Sequence, residues 1–174
     1  MEQLSVGRRS PLLLLRSIPL FAGLPENQVY QIARMAGVRK VPRNTTLVRV
    51  GDKTDALYVL VSGSAKVLNR DVEGREVILT LLGAGECFGE MSLIDGEAHS
   101  ATVRAEAQTD VLILERDAFM HCLRENASLA DAIMRGLVRR LRRADKQILS
   151  LALMDVYGRV LSTLQDMAQE DADG

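Results

Sequence analysis

The period of the apolar positions changes twice along the chain. In "PENQVYQIARMA" Val29, Ile32, Ala33 and Ala36 recur at helical spacing behind Pro25, which predicts a helix over 25–36. From Val38 the pattern shortens into β-rich runs. Turn signals at Gly51-Asp52, Ser62-Gly63, Glu73-Gly74 and Gly83-Ala84-Gly85 divide these runs about every 10–12 residues, a rhythm that predicts a β-sandwich or barrel. "ALYVLVSGSAKVLNR" and "REVILTLL" are nearly continuous apolar runs, the pattern of strands covered on both faces. "SATVRAEAQTDVLILE" then supplies two further strands, at 102–105 and 111–114.

Helical spacing returns at Arg116. "RDAFMHCLREN" predicts a short helix, and a long one follows over about 128–153, with Asn126 and Ser128 as candidate N-caps. Within the long helix Met134, Leu137, Leu141, Ala144, Ile148 and Leu151 are separated by alternating steps of three and four, a heptad seam. Arg135, Arg139, Arg140, Arg142, Arg143 and Lys146 stand outside the seam, against Asp131 and Asp145. Such a seam either packs on the chain's own β-domain or joins two copies. The helix is longer than one small β-domain needs as cover, which favours a homodimer.

"MDVYGRVLSTLQDMA" begins another helix near Asp155, with Val156, Val160, Leu164 and Met167 on its apolar face, before an acidic end in "QEDADG". At the other end the first seven or so residues carry no pattern, and 11–17 predict a short helix that stops before Pro19.

Composition narrows the picture. The chain has 174 residues and a formal net charge of −1. Apolar residues make up 47%, aromatics only 3%, and Trp is absent, so aliphatic side chains must fill the core. The near-neutral balance gives no global drive toward nucleic acid; a DNA contact needs a local basic patch or a part outside this stretch. Cys87 and Cys122 match no zinc spacing and read as reduced thiols. "PLLLLRSIPLF" is interrupted by Arg16 and Pro19 and falls short of the roughly 20 residues of a membrane span. It lacks a small-residue cleavage site as well. The expected location is the cytoplasm, without a membrane partner.

Candidate chemistry is concentrated in "FGEMSLIDGEAHSATVRA", Phe88 to Ala105. A phosphate-binding loop needs backbone N–H groups and close approach, which a glycine followed by a helical turn provides. Gly89 stands at the turn and "EMSLI" can form the helical turn behind it. A carboxylate repels phosphate, so Glu90 suits a ribose hydroxyl better. Gly96 lets the chain reverse, returning His99, Ser100 and Ala101 to the same place. From these residues alone an ordinary hairpin turn and a nucleotide pocket both stay open.

At these residues the sequence resembles the cyclic nucleotide-binding domains of the CRP/FNR family of bacterial transcription regulators. Their phosphate-binding cassette reads Phe-Gly-Glu, apolar, small, Leu, apolar, a short turn, then Arg, small, small, Thr; "FGEMSLIDGEAHSAT" follows it without a gap. The resemblance runs from about residue 15 to 168. It takes in "IPLFAGLPENQVYQIA", "VRVGDKTDALYVLVSGSAKV", the seam helix and "LALMDVYGRVLSTLQDMA", which is similar to the family's hinge and first DNA-binding helix.

The resemblance implies an α+β fold, a β jelly roll with flanking N-terminal helices and a long C-terminal dimerisation helix. It implies an effector domain over 10–126, a dimerisation helix over 127–154, and over 155–174 the start of a winged-helix domain that the sequence leaves incomplete. Phe88, Gly89, Glu90, Met91, Ser92, His99, Ser100 and Ala101 would line the phosphate and ribose site. The partners implied are a second copy, DNA for the full-length protein only, and a cyclic nucleotide effector; no cofactor is obligatory.

Two departures stand out. His99 occupies the position of the family's phosphate-pairing arginine. Arginine is always charged and forks onto two oxygens; histidine, with a reference pKa near 6.5, is mostly neutral at pH 7 and donates once. On the long helix, Ala144 and Asp145 replace the Thr-Ser pair that meets adenine in the cyclic AMP receptor. Asp145 reads as a surface ion-pair partner of Lys146 or an arginine, or as an acceptor for guanine N–H groups. With Arg142 or Arg143 at a base or phosphate, the latter leans toward a guanine ligand such as cyclic di-GMP over cyclic AMP. Three rival readings remain. One is a dimeric scaffold with a vestigial pocket. Another is a haem sensor using Cys87, His99 or His121-Cys122. The third, a cupin-like metal enzyme, lacks its His/Glu cluster, and no enzyme is expected. An iron–sulfur cluster needs about four cysteines.

Overall fold

The computed structural model describes residues 15–53 and 55–153. The chain divides after Ala130 into two units. The first opens with helix α1 (Glu26–Met35), close to the expected 25–36. Val29 and Ile32 form its buried face. Strands β1 (Gly37–Val41), β2 (Thr46–Val48), β3 (Ala56–Ser62), β4 (Ala65–Arg70), β5 (Glu76–Leu82) and β6 (Cys87–Phe88) follow. After them come the short helix α2 (Glu90–Asp95), β7 (Thr102–Ala105), β8 (Thr109–Glu115) and helix α3 (Arg116–Glu125). Helix α4 (Ala127–Leu153) crosses the division. The proposed helix over 11–17 lies mostly, and the one near Asp155 wholly, outside the described residues.

The strands form two antiparallel four-stranded sheets, in the orders β1-β8-β3-β6 and β2-β7-β4-β5. The core between them takes Val41, Leu60, Phe88 and Val111 from the first, and Val48, Ala65, Leu82, Val103 and Ala105 from the second. It is largely aliphatic, as the composition requires, with the Tyr58 ring stacked on Phe88 at a centroid distance of 5.0 Å. Leu112 and Leu114 of β8 are buried too, as are Phe21, Val29 and Ile32 near the start and Phe119 of α3. Helices α1 and α3 therefore cover the outer face of β8. The turn at Gly63 (φ +80°) is packed so tightly that a Cβ there would stand 2.6 Å from both the Gln108 carbonyl oxygen and Thr109 Oγ1.

Two expectations need correction. Strand β3 is covered on both faces, but β5 is not: Val77, Ile78, Leu79 and Leu81 are all exposed in this chain. β5 is an edge strand, paired only with β4. The second correction concerns the caps. Ser128 lies inside α4, and Asn126 holds the position before the helix, but its side chain turns back, donating from Nδ2 to the Cys122 carbonyl at 2.7 Å. Its backbone carbonyl instead accepts from Leu129 and Ala130 N–H, opening the helix.

Leu60 is fully buried between the sheets. Leu60→Ala should cost about 2–5 kcal/mol, read as a lower urea midpoint at unchanged slope.

Candidate functional site

The quoted segment folds as a glycine-bounded helical turn. Gly89 takes the N-cap of α2 at φ +87°, and Gly96 closes it at φ +76° with its N–H on the Ser92 carbonyl. A Cβ on Gly89 would meet the Ala56 carbonyl at 2.8 Å and the Tyr58 ring at 3.2 Å. Both the backbone conformation and the space demand glycine. The turn from β6 into α2 thus lies directly on β3.

Within α2, Glu90, Ser92 and Leu93 are buried, while Met91 and Ile94 are exposed. Glu90 is only 2% exposed. A carboxylate this deep is costly unless donors surround it. Phe88 is buried in the core. Beyond Gly96 the chain reverses as expected, and the reversal is tied to the Gly51–Lys53 turn by three hydrogen bonds. His99 N–H donates to the Asp52 carbonyl (2.9 Å), Gly51 N–H to the His99 carbonyl (2.9 Å), and Lys53 Nζ to the Gly96 carbonyl (3.1 Å). Just beyond, Val50 N–H donates to Thr102 Oγ1 and Asn69 Nδ2 to the Ser100 carbonyl.

His99 faces inward. It is 6% exposed, and its Nδ1 lies 3.0 Å from Ser92 Oγ. Burial pushes its pKa below the ordinary histidine value, and the nearby Asp52 charge offsets this in part. The imidazole is therefore neutral at pH 7 and joined to a serine of α2. Sequence reasoning placed Ser92 and His99 in the site but missed the bond between them. It also read Gly51-Asp52 as a plain turn and passed over Lys53 and Asn69. No periodicity signals contacts made across a reversal.

On α4 the seam residues Met134, Leu137, Leu141, Ala144, Ile148 and Leu151 fall within an arc of roughly 100°, at about 100° per residue. Met134, Leu141, Ile148 and Leu151 are exposed in the single chain. Ala144 belongs to this seam, but Arg142 is roughly 160° away around the same helix. Asp145 lies between them.

Among the described residues no cluster of three His, Cys, Asp or Glu is placed to hold a metal. Burial raises the Cys122 pKa, which keeps it a thiol, and neighbouring His121 is exposed. No described helix is long and apolar enough to cross a membrane.

Residues 38–126 match the family model described as "Cyclic nucleotide-binding domain". Over 133 residues the chain is 34% identical to the cAMP-activated global transcriptional regulator CRP of Pasteurella multocida, covering 76% of this chain and 64% of that protein. The Catabolite Activator Protein of Thermus thermophilus superposes with a TM-score of 0.68 at 35% identity, covering 77% of this chain and 63% of that one. The c-di-GMP responsive global regulator CLP of Xanthomonas campestris superposes at 0.69 with 26% identity, over 82% and 72%. The chain thus spans somewhat under two thirds of the first two relatives. The α+β jelly roll expected from the resemblance is borne out by these likenesses.

With its folded pKa depressed, His99 contributes its full share of stability above about pH 6.5, where the unfolded imidazole is also neutral. That share is lost as the pH falls toward the folded pKa, because only the unfolded chain takes up the proton. Urea midpoints at pH 7.5 and 5.5 should differ more for the wild type than for His99→Gln; equal differences would contradict a buried neutral imidazole.

Proposed function

Because the chain belongs to the cyclic nucleotide-binding domain family, we propose that it is the effector-sensing and dimerising part of a CRP-type transcription regulator, taking a cyclic nucleotide at the segment 88–101. The observation that supports this reading is the Gly89–Gly96 turn, which opens α2 with its first N–H groups, buries Glu90 and meets the returning chain through the Ser92–His99 contact. The amides suit a cyclic phosphate and the carboxylate suits a ribose hydroxyl. It is a binding role, in keeping with relatives named as regulators. In the full-length protein, effector binding would be transmitted to a DNA-binding part, and a two-fold dimer would read a palindromic site.

The effector is one of three: cyclic AMP, cyclic GMP or cyclic di-GMP. The neutral, inward His99 argues for weaker hold on a cyclic monophosphate than an arginine gives. A charge-assisted hydrogen bond contributes about 1.5–3 kcal/mol, so His99→Arg should tighten cyclic-monophosphate binding about tenfold to a hundredfold. Calorimetry with all three nucleotides, on wild type and variant, checks this. Binding by neither protein would leave the second reading, a dimer scaffold with a vestigial pocket, which the Ser92–His99 contact favours by engaging Nδ1 of the imidazole within the fold.

The dimer reading rests on the exposed seam of α4. Leu141→Glu should convert a micromolar dimer to monomer in sedimentation. A wild-type monomer, or a dimer unaffected by the charge, would remove this part of the proposal.

A further inference from the structure

Helix α4 has a second face that the effector and dimer readings do not use. Residues 132–146 hold six cations, Arg135, Arg139, Arg140, Arg142, Arg143 and Lys146, and one acid, Asp145, in a chain whose net charge is −1. Five of the six, Arg135, Arg139, Arg142, Arg143 and Lys146, fall within one arc of roughly 100°, and no other residue from 135 to 146 shares that arc. All five are exposed. The arc is centred about 180° from the apolar seam, and at about 1.5 Å per residue it runs some 16 Å along the helix. A partner seated on the seam would therefore meet the opposite side of the helix. At its start Arg135 Nε holds Asp131 at 2.7 Å, and within residues 135–146 no Asp or Glu shares the arc.

We propose that this stripe is a surface for the phosphate backbone of duplex nucleic acid, bound without regard to base sequence. Four of its five cations are arginines, whose planar forks match phosphate oxygens. A linear array of cations fits a linear array of phosphates better than it fits a single anion. The stripe has no aromatic residue on which unpaired bases would stack, which selects duplex over single strands. Within residues 135–146 the arc has no apolar residue to enter a bilayer, and the apolar seam is on the opposite side; exposed Leu153 rejoins the arc only two turns further on, so the vesicle arm of the test bears on a lipid surface.

The test is fluorescence anisotropy of the 174-residue chain with a labelled mixed-sequence duplex of about 25 bp, titrated between roughly 50 and 200 mM salt. Weak binding that is independent of sequence is expected. Its log–log salt slope should lie near −0.9 for each phosphate contacted. Arg139→Glu with Arg142→Glu should weaken it at least about tenfold at low salt and shrink the slope by about two. Arg39→Glu with Arg124→Glu, the same charge change at exposed positions off the stripe, should change it far less. Equal loss in the two variants, no duplex binding, or equal retention by polyglutamate or phosphatidylserine vesicles would each overturn the assignment. These readouts need no effector, so they stand apart from the fate of the nucleotide pocket.

Discussion

The candidate site depends on one contact: the backbone of Gly89 against the Ala56 carbonyl and the Tyr58 ring, in a left-handed conformation with no room for a Cβ. That approach sets where α2 begins. It fixes which side of the helical turn faces the sheets, and so buries Glu90, Ser92 and Leu93 while leaving Met91 and Ile94 outside. The stacked pair of Tyr58 and Phe88 fastens the preceding strand to the same neighbour. A side chain at 89 would force the turn off β3 and move every amide at the head of α2 with it. The second arm of the site is held differently, by hydrogen bonds from the Gly51–Lys53 turn to His99 and Gly96. One arm is set by sterics and the other by hydrogen bonding; the Ser92–His99 bond joins them.

Much of this was legible in the sequence where the information was local. Strand 102–105, the glycine-bounded turn and the long helix follow from period and turn residues, and the structure has them within a residue or two. What failed was the inference from apolar composition to burial. "REVILTLL" reads as a strand covered on both sides, but β5 lies at a sheet edge and four of its apolar residues face solvent in the single chain. Composition reports what a strand can bury, not what is present to bury it. The Asn126 side chain illustrates a different limit. Its residue type suits a cap, but at a junction between two helices it serves the end of the first. The Ser92–His99 contact had no local signal because a chain reversal at Gly96 makes it.

The α4 helix shows how one sequence period carries two patterns. Steps of three and four place the seam on one side, and four of the five arginines between those steps fall on the other. The same arithmetic separates Arg142 from Ala144, although they are two residues apart in sequence. Proximity along a helix is a poor guide to a shared ligand, since neighbours at i and i+2 point away from each other.

The distribution of charge then bears on how the cassette would respond to an anion. An arginine in the position of His99 would keep its charge with or without ligand, so binding would leave the protonation of the protein unchanged. A buried imidazole below its ordinary pKa starts neutral. A phosphate beside it favours the charged form, against the desolvation that disfavours it. A neutral ring can donate one hydrogen bond without a proton gained; any affinity gained through its positive charge is coupled to proton uptake, and by linkage the proton strengthens the anion as much as the anion strengthens the proton. The Ser92 hydroxyl shares in that balance, because the ring nitrogen it meets must donate once the imidazole is charged, and a hydroxyl can accept as readily as donate. Replacing arginine by histidine therefore does more than weaken a phosphate contact: in this buried, serine-paired setting it turns a fixed charge into a conditional one.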